Sequence, residues 1–206
     1  MLIKICGIQT VEDARVAAEA GADMIGLVFA QSSRQVTVDQ ARLIRQSCTD
    51  LGVKVVGVFR NQPIEEVNAI QKAVDLNYVQ LHGQESLDDC KSVQAPLIRA
   101  LSQEDITESQ EALKLAAHLL IDSPHPGSGE PFNWETLKKN RPNRPFMLAG
   151  GLHRDNVLDA IRTLQPAGVD VSSGVETDRQ KDPEKIRQFI ETVRTHEHTT
   201  KGEKNA

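Results

Sequence analysis

Short apolar, β-branched runs alternate along this chain with longer stretches whose apolar positions recur every three or four residues. That alternation is the signature of βαβ units feeding a parallel sheet. Eight runs read as strands: Leu2 to Cys6, Met24 to Phe29, Lys54 to Phe59, Tyr78 to Leu81, Pro96 to Leu101, His118 to Asp122, Pro145 to Ala149, and Val169 to Ser172. The stretches between them carry helix-start signals. Thr10 precedes Val11, Ala14, Ala17 and Ala18 with Asp13 in the first turn, and Gln62-Pro63 opens another helix. Asp182-Pro183 stands before Ile186, Phe189, Ile190 and Val193, which share one helical face. Ile25-Gly26-Leu27-Val28-Phe29 and Val56-Gly57-Val58-Phe59 echo one another without a clean period.

Eight strand–helix units predict a single-domain α/β fold, a (β/α)8 barrel over residues 1–194, with a doubly wound open sheet as the competing architecture. The sixth unit departs from the pattern. Ser123 to Pro131 is a Gly/Pro/Ser loop followed only by a short helical stretch around Trp134 to Lys139, and a loop of that length points to function. Beyond Thr195 the apolar period stops, so residues 195–206 are expected to form a flexible C-terminal tail.

Composition narrows the function classes. With 206 residues, one core is expected, and a net charge of −5 with no basic stripe argues against nucleic acid or acidic membranes as partners. Aromatic residues make up 3% of the chain, leaving the core to Ile, Leu, Val and Ala, which suits parallel strands under helices. Apolar runs fall well short of the roughly 20 residues that cross a bilayer. The segment Met1-Leu2-Ile3-Lys4-Ile5-Cys6 lacks a secretory pattern, so a cytoplasmic location is expected. Cys6, Cys48 and Cys90 are widely spaced with no CxxC pairing, which predicts free thiols, no zinc site and no metal. Cys48 and Cys90 fall in helical stretches and read as structural. The oligomeric state is left undetermined by a single chain.

In a barrel the active site lies at the C-terminal ends of the strands. That rule selects Cys6-Gly7, Arg34, Asn61, His82-Gly83, Asp122, Gly150-Gly151 and Ser172-Ser173-Gly174. The last two groups follow consecutive strands, and glycines there let backbone N–H groups approach an anion, so they read as a phosphate site rather than two ordinary tight turns. Cys6 is either a buried, inert thiol or a base, and a base requires positive charge nearby. Asp122 follows Leu119-Leu120-Ile121 into the barrel mouth, where it is a general acid or a salt-bridged or capping carboxylate. Arg34 offers a planar fork for a carboxylate or phosphate, against the alternative of a solvated loop residue. His82 reads as a hydrogen-bonded wall residue in preference to a proton donor. His118 and His125 carry no partner signal.

Several segments together resemble the phosphoribosylanthranilate isomerase family of tryptophan biosynthesis. They are Lys4-Ile5-Cys6-Gly7-Ile8 with Glu12-Asp13-Ala14, Gly26-Leu27-Val28-Phe29, Val79-Gln80-Leu81-His82-Gly83, and Leu120-Ile121-Asp122. Gly127-Ser128-Gly129 before Phe132 and Trp134, Ala149-Gly150-Gly151-Leu152 with Asn156-Val157, Val169 to Glu176, and Lys181-Asp182 continue the match in order. The resemblance covers about residues 2–194. It implies a (β/α)8 barrel performing an Amadori rearrangement of N-(5-phosphoribosyl)anthranilate, a small-molecule phosphosugar substrate, with no metal or organic cofactor. It further implies Cys6 as base, Asp122 as acid, Arg34 against the anthranilate portion, Asp170 as a substrate-orienting group, and Gly151, Ser172, Ser173 and Gly174 in phosphate loops. Asn133 stands where the family usually has Asp, and Arg60 interrupts the usual apolar residue before Asn61. Two other readings remain: the related histidine-pathway isomerase, which carries Asp where Cys6 stands, and a phosphate-metabolite sensor that keeps the barrel without turnover.

Overall fold

The computed structural model of the protein describes residues 1–102, 110–123 and 134–203. Eight parallel strands close into a barrel in sequence order. They are β1 (Leu2–Cys6), β2 (Met24–Val28), β3 (Lys54–Phe59), β4 (Tyr78–Leu81), β5 (Leu97–Ser102), β6 (His118–Asp122), β7 (Phe146–Leu148) and β8 (Gly168–Val171). The helices that follow them are α1 (Val11–Glu19), α2 (Val38–Ser47), α3 (Ile64–Val74), α4 (Leu87–Ser92), α5 (Gln110–Leu115), α6 (Trp134–Lys139), α7 (Val157–Leu164) and α8 (Pro183–Glu203). Pairing of β1 with β8, Leu2 opposite Gly168 and Lys4 opposite Asp170, closes the ring and rules out the open sheet.

Strand ends depart from the sequence reading for a backbone reason. Pro96 and Pro145 have no N–H to give to a ladder, and β5 and β7 begin one residue after them. Thr10 caps α1 by accepting the N–H of Asp13, whereas α3 starts behind Pro63 with no side-chain cap. Strand periodicity of two then divides the interior. Ile3 and Ile5 of β1 join Ile25, Leu27, Val55 and Val79 in the core beneath the helices, while Met24, Val56, Ile98, Leu120 and Met147 fill the barrel lumen. Polar residues replace this apolar filling toward the C-terminal rim: Lys4, Gln80, Asp122 and Asp170 are all buried there.

The last element continues past the point where the apolar period stops. α8 runs without a break to Glu203, so residues 195–203 are helical, and only 204–206 of the expected tail lie outside the described residues. The reason is a contact that spans the whole chain. Glu197 pairs with the amino group of Met1 and with Arg194, which also reaches the carbonyls of Met1 and Gly21 and the carboxylate of Asp23. These bonds hold the helix at Arg194 and Glu197, where the local pattern offers no apolar anchor. Among the described residues, no helix is long and apolar enough to cross a membrane.

Candidate active site

Cys6 ends β1 in the lumen, and Gly7, at φ +76, turns the chain away from it. A side chain on Gly7 would lie 2.6 Å from Arg34 Cδ and 3.0 Å from Ser172 Oγ, so its absence brings the loops after β1, β2 and β8 together. Two residues back on the same strand face, Lys4 is fully buried and donates to Asp170 Oδ1 at 2.9 Å. The ammonium and the Cys6 sulfur share that strand face, and each favours the charged form of the other. Gly26 on β2 leaves room for both groups, because a Cβ there would sit 2.8 Å from Cys6 Sγ and 3.1 Å from Lys4 Nζ.

Burial and charge oppose one another at Cys6. Burial pushes the thiol up, Lys4 pulls it down, Asp170 pushes it up again and Lys181 pulls it down, for a net rise above its ordinary value. At rest Cys6 is therefore a thiol. Burial disfavours the charge on Lys4, but Asp170 and Cys6 outweigh it and the ammonium is held more firmly than usual. On β10 (Gln180–Lys181), which pairs with β9 (Glu176–Thr177), burial dominates at Lys181 and lowers its pKa despite Glu176.

Arg34 is anchored rather than solvated. Its Nε and Nη2 donate to the two carboxylate oxygens of Glu176, and Lys181 shares that carboxylate. Burial works against ionisation of Glu176, but hydrogen bonds from Arg34 and Lys181 overcome it and hold its carboxyl below the ordinary range. Lys181 also donates to the carbonyl of Ser172 at 3.0 Å and to its hydroxyl at 3.3 Å.

A second cluster surrounds Asp122 at the end of β6. The carboxyl is buried, Oδ1 accepts the N–H of Ser123 at 2.7 Å, and Oδ2 lies 3.2 Å from His82 Nε2. That approach is short but not aligned as a hydrogen bond, and His82 Nε2 has no aligned partner among the described residues. The other ring nitrogen is 3.1 Å from Gln80 Nε2, which sets the ring against the lumen wall. The loops behind His82 are braced by Glu85, which accepts the N–H groups of Asn61 and Gly83 and pairs with buried Arg99.

The two glycine groups form one rim. Gly150 and Gly151 both have positive φ, +88 and +63, after β7. Gly174, in the 3-10 turn Ser173–Val175 after β8, has no room for a side chain because the carbonyl of Leu152 occupies that space. Asn156 locks the first loop by donating to Gly151 O and accepting from His153 N, each at 2.8 Å. Gly150, Gly151, Ser173 and Gly174 therefore line adjoining loops, while Ser172 turns its hydroxyl toward Lys181 and Gly7.

The ten residues given catalytic, substrate-binding or phosphate-binding roles from the sequence thus lie at one end of the barrel, in two clusters bridged by the glycine loops. Gly127-Ser128-Gly129, Phe132 and Asn133 lie outside the described residues. The roles of Lys4, Gln80, Glu176 and Lys181 escaped the sequence reading. Lys4 had a usable signal, since a lysine two residues before Cys6 in an otherwise apolar strand must share its face. Among the described residues, no group of three or more His, Cys, Asp and Glu could hold a metal ion.

Residues 3–192 match the family described as N-(5'phosphoribosyl)anthranilate (PRA) isomerase. The N-(5'-phosphoribosyl)anthranilate isomerase of Oceanobacillus iheyensis is 43% identical over 198 residues, covering 94% of this chain and 97% of that protein. The phosphoribosyl anthranilate isomerase structure from Thermotoga maritima superposes with a TM-score of 0.86 at 35% identity, over 95% of this chain and 99% of that one. A phosphoribosyl anthranilate isomerase solved in complex with reduced 1-(o-carboxyphenylamino)-1-deoxyribulose 5-phosphate gives a TM-score of 0.82 at 33% identity, over 95% and 100% of the two chains. A closed barrel with these loops, matched along nearly its whole length, belongs to the N-(5'-phosphoribosyl)anthranilate isomerase family.

Proposed function

We propose that Cys6 and Asp122 are the base and acid with which this phosphoribosylanthranilate isomerase converts N-(5'-phosphoribosyl)anthranilate to 1-(2-carboxyphenylamino)-1-deoxyribulose 5-phosphate in tryptophan biosynthesis. The observation that carries the reading is the ring order β6, β7, β8, β1. It sets the glycine rim between the acid and the base, so a sugar held by its phosphate on the β7 and β8 loops extends toward both.

The reaction is an Amadori rearrangement, and its proton requirements are definite. As the C1′–O4′ bond breaks, the anthranilate nitrogen supplies its electron pair to C1′, and Asp122 gives its proton to O4′. The product is an iminium. Cys6, as thiolate, takes the C2′ proton; the C2′–H electrons become a C1′=C2′ bond, and the C=N π pair returns to nitrogen. Tautomerisation then places a proton on C1′ and leaves a ketone at C2′. A thiolate with a protonated Asp122 and a thiol with an ionised Asp122 hold the same number of protons. The thiolate forms when the Cys6 proton leaves for another group of the site or for solvent.

The remaining assignments follow the same geometry. Gly150, Gly151, Ser173 and Gly174 present backbone to the phosphate, with Ser172 at the boundary between that rim and Lys181. Arg34, with Nε and Nη2 held by Glu176, offers Nη1 to the anthranilate carboxylate. His82 walls the sugar beside Asp122, and Asp170 acts through Lys4. Cytoplasmic location, proton chemistry without a cofactor, and one catalytic domain that α8 completes belong to the same reading. The test is loss of anthranilate fluorescence from the phosphoribosyl adduct, run beside the histidine-pathway aminoaldose. Cys6→Ser and Asp122→Asn should each reduce turnover by about 10²- to 10⁴-fold with an unchanged thermal unfolding profile. Near-parental turnover in either variant sinks the assignment.

A further inference from the structure

Lys4 is a fully buried cation for which the acid–base steps have no use. A buried ammonium needs a counter-charge, and Asp170 at 2.9 Å supplies one, so the simplest account is an ion pair that fills the lumen. Two features go beyond that account. Lys4 and Cys6 occupy the same face of β1, one pleat apart, and both reach the empty volume left by Gly26, within 3.1 and 2.8 Å of where its Cβ would be. The ammonium is therefore bonded to a carboxylate on the neighbouring strand and lies beside a sulfur on its own strand face.

We propose that Lys4 is the positioning cation that holds the thiolate form of Cys6, and that Asp170 sets how much of its charge reaches the sulfur. The proposal rests on Cys6 being the base. When a proton leaves the Cys6 thiol, for the carboxylate of Asp122 or for solvent, no other bond changes. The negative sulfur takes up a hydrogen bond from an ammonium already in place, without reorganisation of water. The other charged groups facing Cys6 are Lys181 from β10 and Arg34 from the loop after β2, which share the single negative charge of Glu176. Asp122 on β6 and His82 after β4 complete the ionisable groups at the rim. Lys181 is engaged by Glu176 and Ser172 and Arg34 by Glu176, whereas Lys4 shares both the strand face and the Gly26 gap with the sulfur and is the cation that pulls the thiol down most.

The two members of the pair are then expected to act on Cys6 in opposite directions. A lumen-filling salt bridge predicts no such sign change. The experiment is the pH dependence of iodoacetamide alkylation at Cys6, read by mass spectrometry of the Cys6 peptide in the intact chain, so that Cys48 and Cys90 need not be removed. Lys4→Met should move the midpoint up by a pH unit or more, and Asp170→Asn should move it down. Lys4→Met/Asp170→Asn, which leaves no unpaired buried charge, should titrate above the parent and keep its unfolding temperature closer to the parent's than Lys4→Met does. The double variant should also lose about tenfold in turnover at neutral pH for each unit of upshift and regain it in alkali. A folded double variant that titrates with the parent overturns the proposal, as does an Asp170→Asn midpoint that stays or rises. The failure of the underlying reading is distinguishable: there, Cys6→Ser would remain active whatever the titration.

Discussion

Arg34 and Glu176 are joined by two parallel bonds, Nε to Oε1 at 2.7 Å and Nη2 to Oε2 at 2.8 Å. A guanidinium held by both oxygens of one carboxylate has its plane fixed before any ligand arrives, so little side-chain freedom is lost on binding. Because Lys181 shares the carboxylate and also reaches Ser172, the orientation of Arg34 is tied to the loop after β8.

Glu176→Gln should release that plane. The expected outcome is a KM increase of about tenfold or more, from a charge-assisted bond worth roughly 1.5–3 kcal/mol, with a smaller change in kcat. Arg34→Ala should raise KM similarly and slow turnover, and the double variant should bind no worse than Arg34→Ala alone. Additive losses in steady-state kinetics would show that Glu176 acts by another route.

Gly26→Ala inserts a methyl group 2.8 Å from Cys6 Sγ and 3.2 Å from Cys6 Cα. Backbone, not only a flexible tip, must give way. We expect kcat to fall at least about tenfold, with destabilisation of about 1–3 kcal/mol as in other overpacked cores. Urea unfolding and turnover measured together check this; undiminished kcat would mean that β1 and β2 separate without moving the thiol.

Gly150→Ala tests the contact between the glycine rim and the acid. Its Cβ would lie 2.7 Å from Ser123 N and 2.9 Å from Asp122 Oδ1, and its φ is +88. Gly52→Ala is the control, since Gly52 has φ +72 and nothing within 4 Å of the added atom. Both should lose roughly 1–2 kcal/mol to left-handed backbone strain, but only Gly150→Ala should lose turnover. Equal activity in the two variants would remove the contact from the mechanism.

Glu197→Gln addresses the clasp between α8 and the N-terminus. Burial works against ionisation of Glu197, but the Met1 amino group and Arg194 outweigh it, so its folded-state pKa lies below the ordinary 4.5. Such a group adds stability that is complete above the ordinary value and is lost as pH falls through the lowered one. At neutral pH the variant should unfold a few degrees below the parent, corresponding to about 1 kcal/mol or less for a partly exposed pair. The two melting curves should converge in acid. A gap that persists at low pH would assign the effect to packing.

Much of the barrel is legible in the sequence because its causes are local. The runs at β1, β3, β4 and β6 are short apolar stretches set between helical stretches and turn residues, and each such preference is set by a few neighbouring residues. Cys6 and Asp122 can be picked out for the same reason: each ends an apolar strand at the barrel mouth, although the sequence also allowed an inert thiol and a salt-bridged or capping carboxylate. Gly174 is different. Its sequence context suggests an anion loop, but the need for glycine comes from the carbonyl of Leu152 on the preceding loop.

What the sequence by itself determined was the number and order of the strands, which residues end them, and hence which groups can reach the mouth of a barrel. Only the tertiary structure decided how those groups are charged and held. The bond from Lys4 to Asp170 spans 166 positions, that from Arg34 to Glu176 spans 142, and the contact of Glu197 with Met1 spans 196. No local preference encodes such a pairing. Each joins the start of the chain to its end, and it is the closure of β8 on β1 that sets the lysine and its carboxylate side by side beneath Cys6.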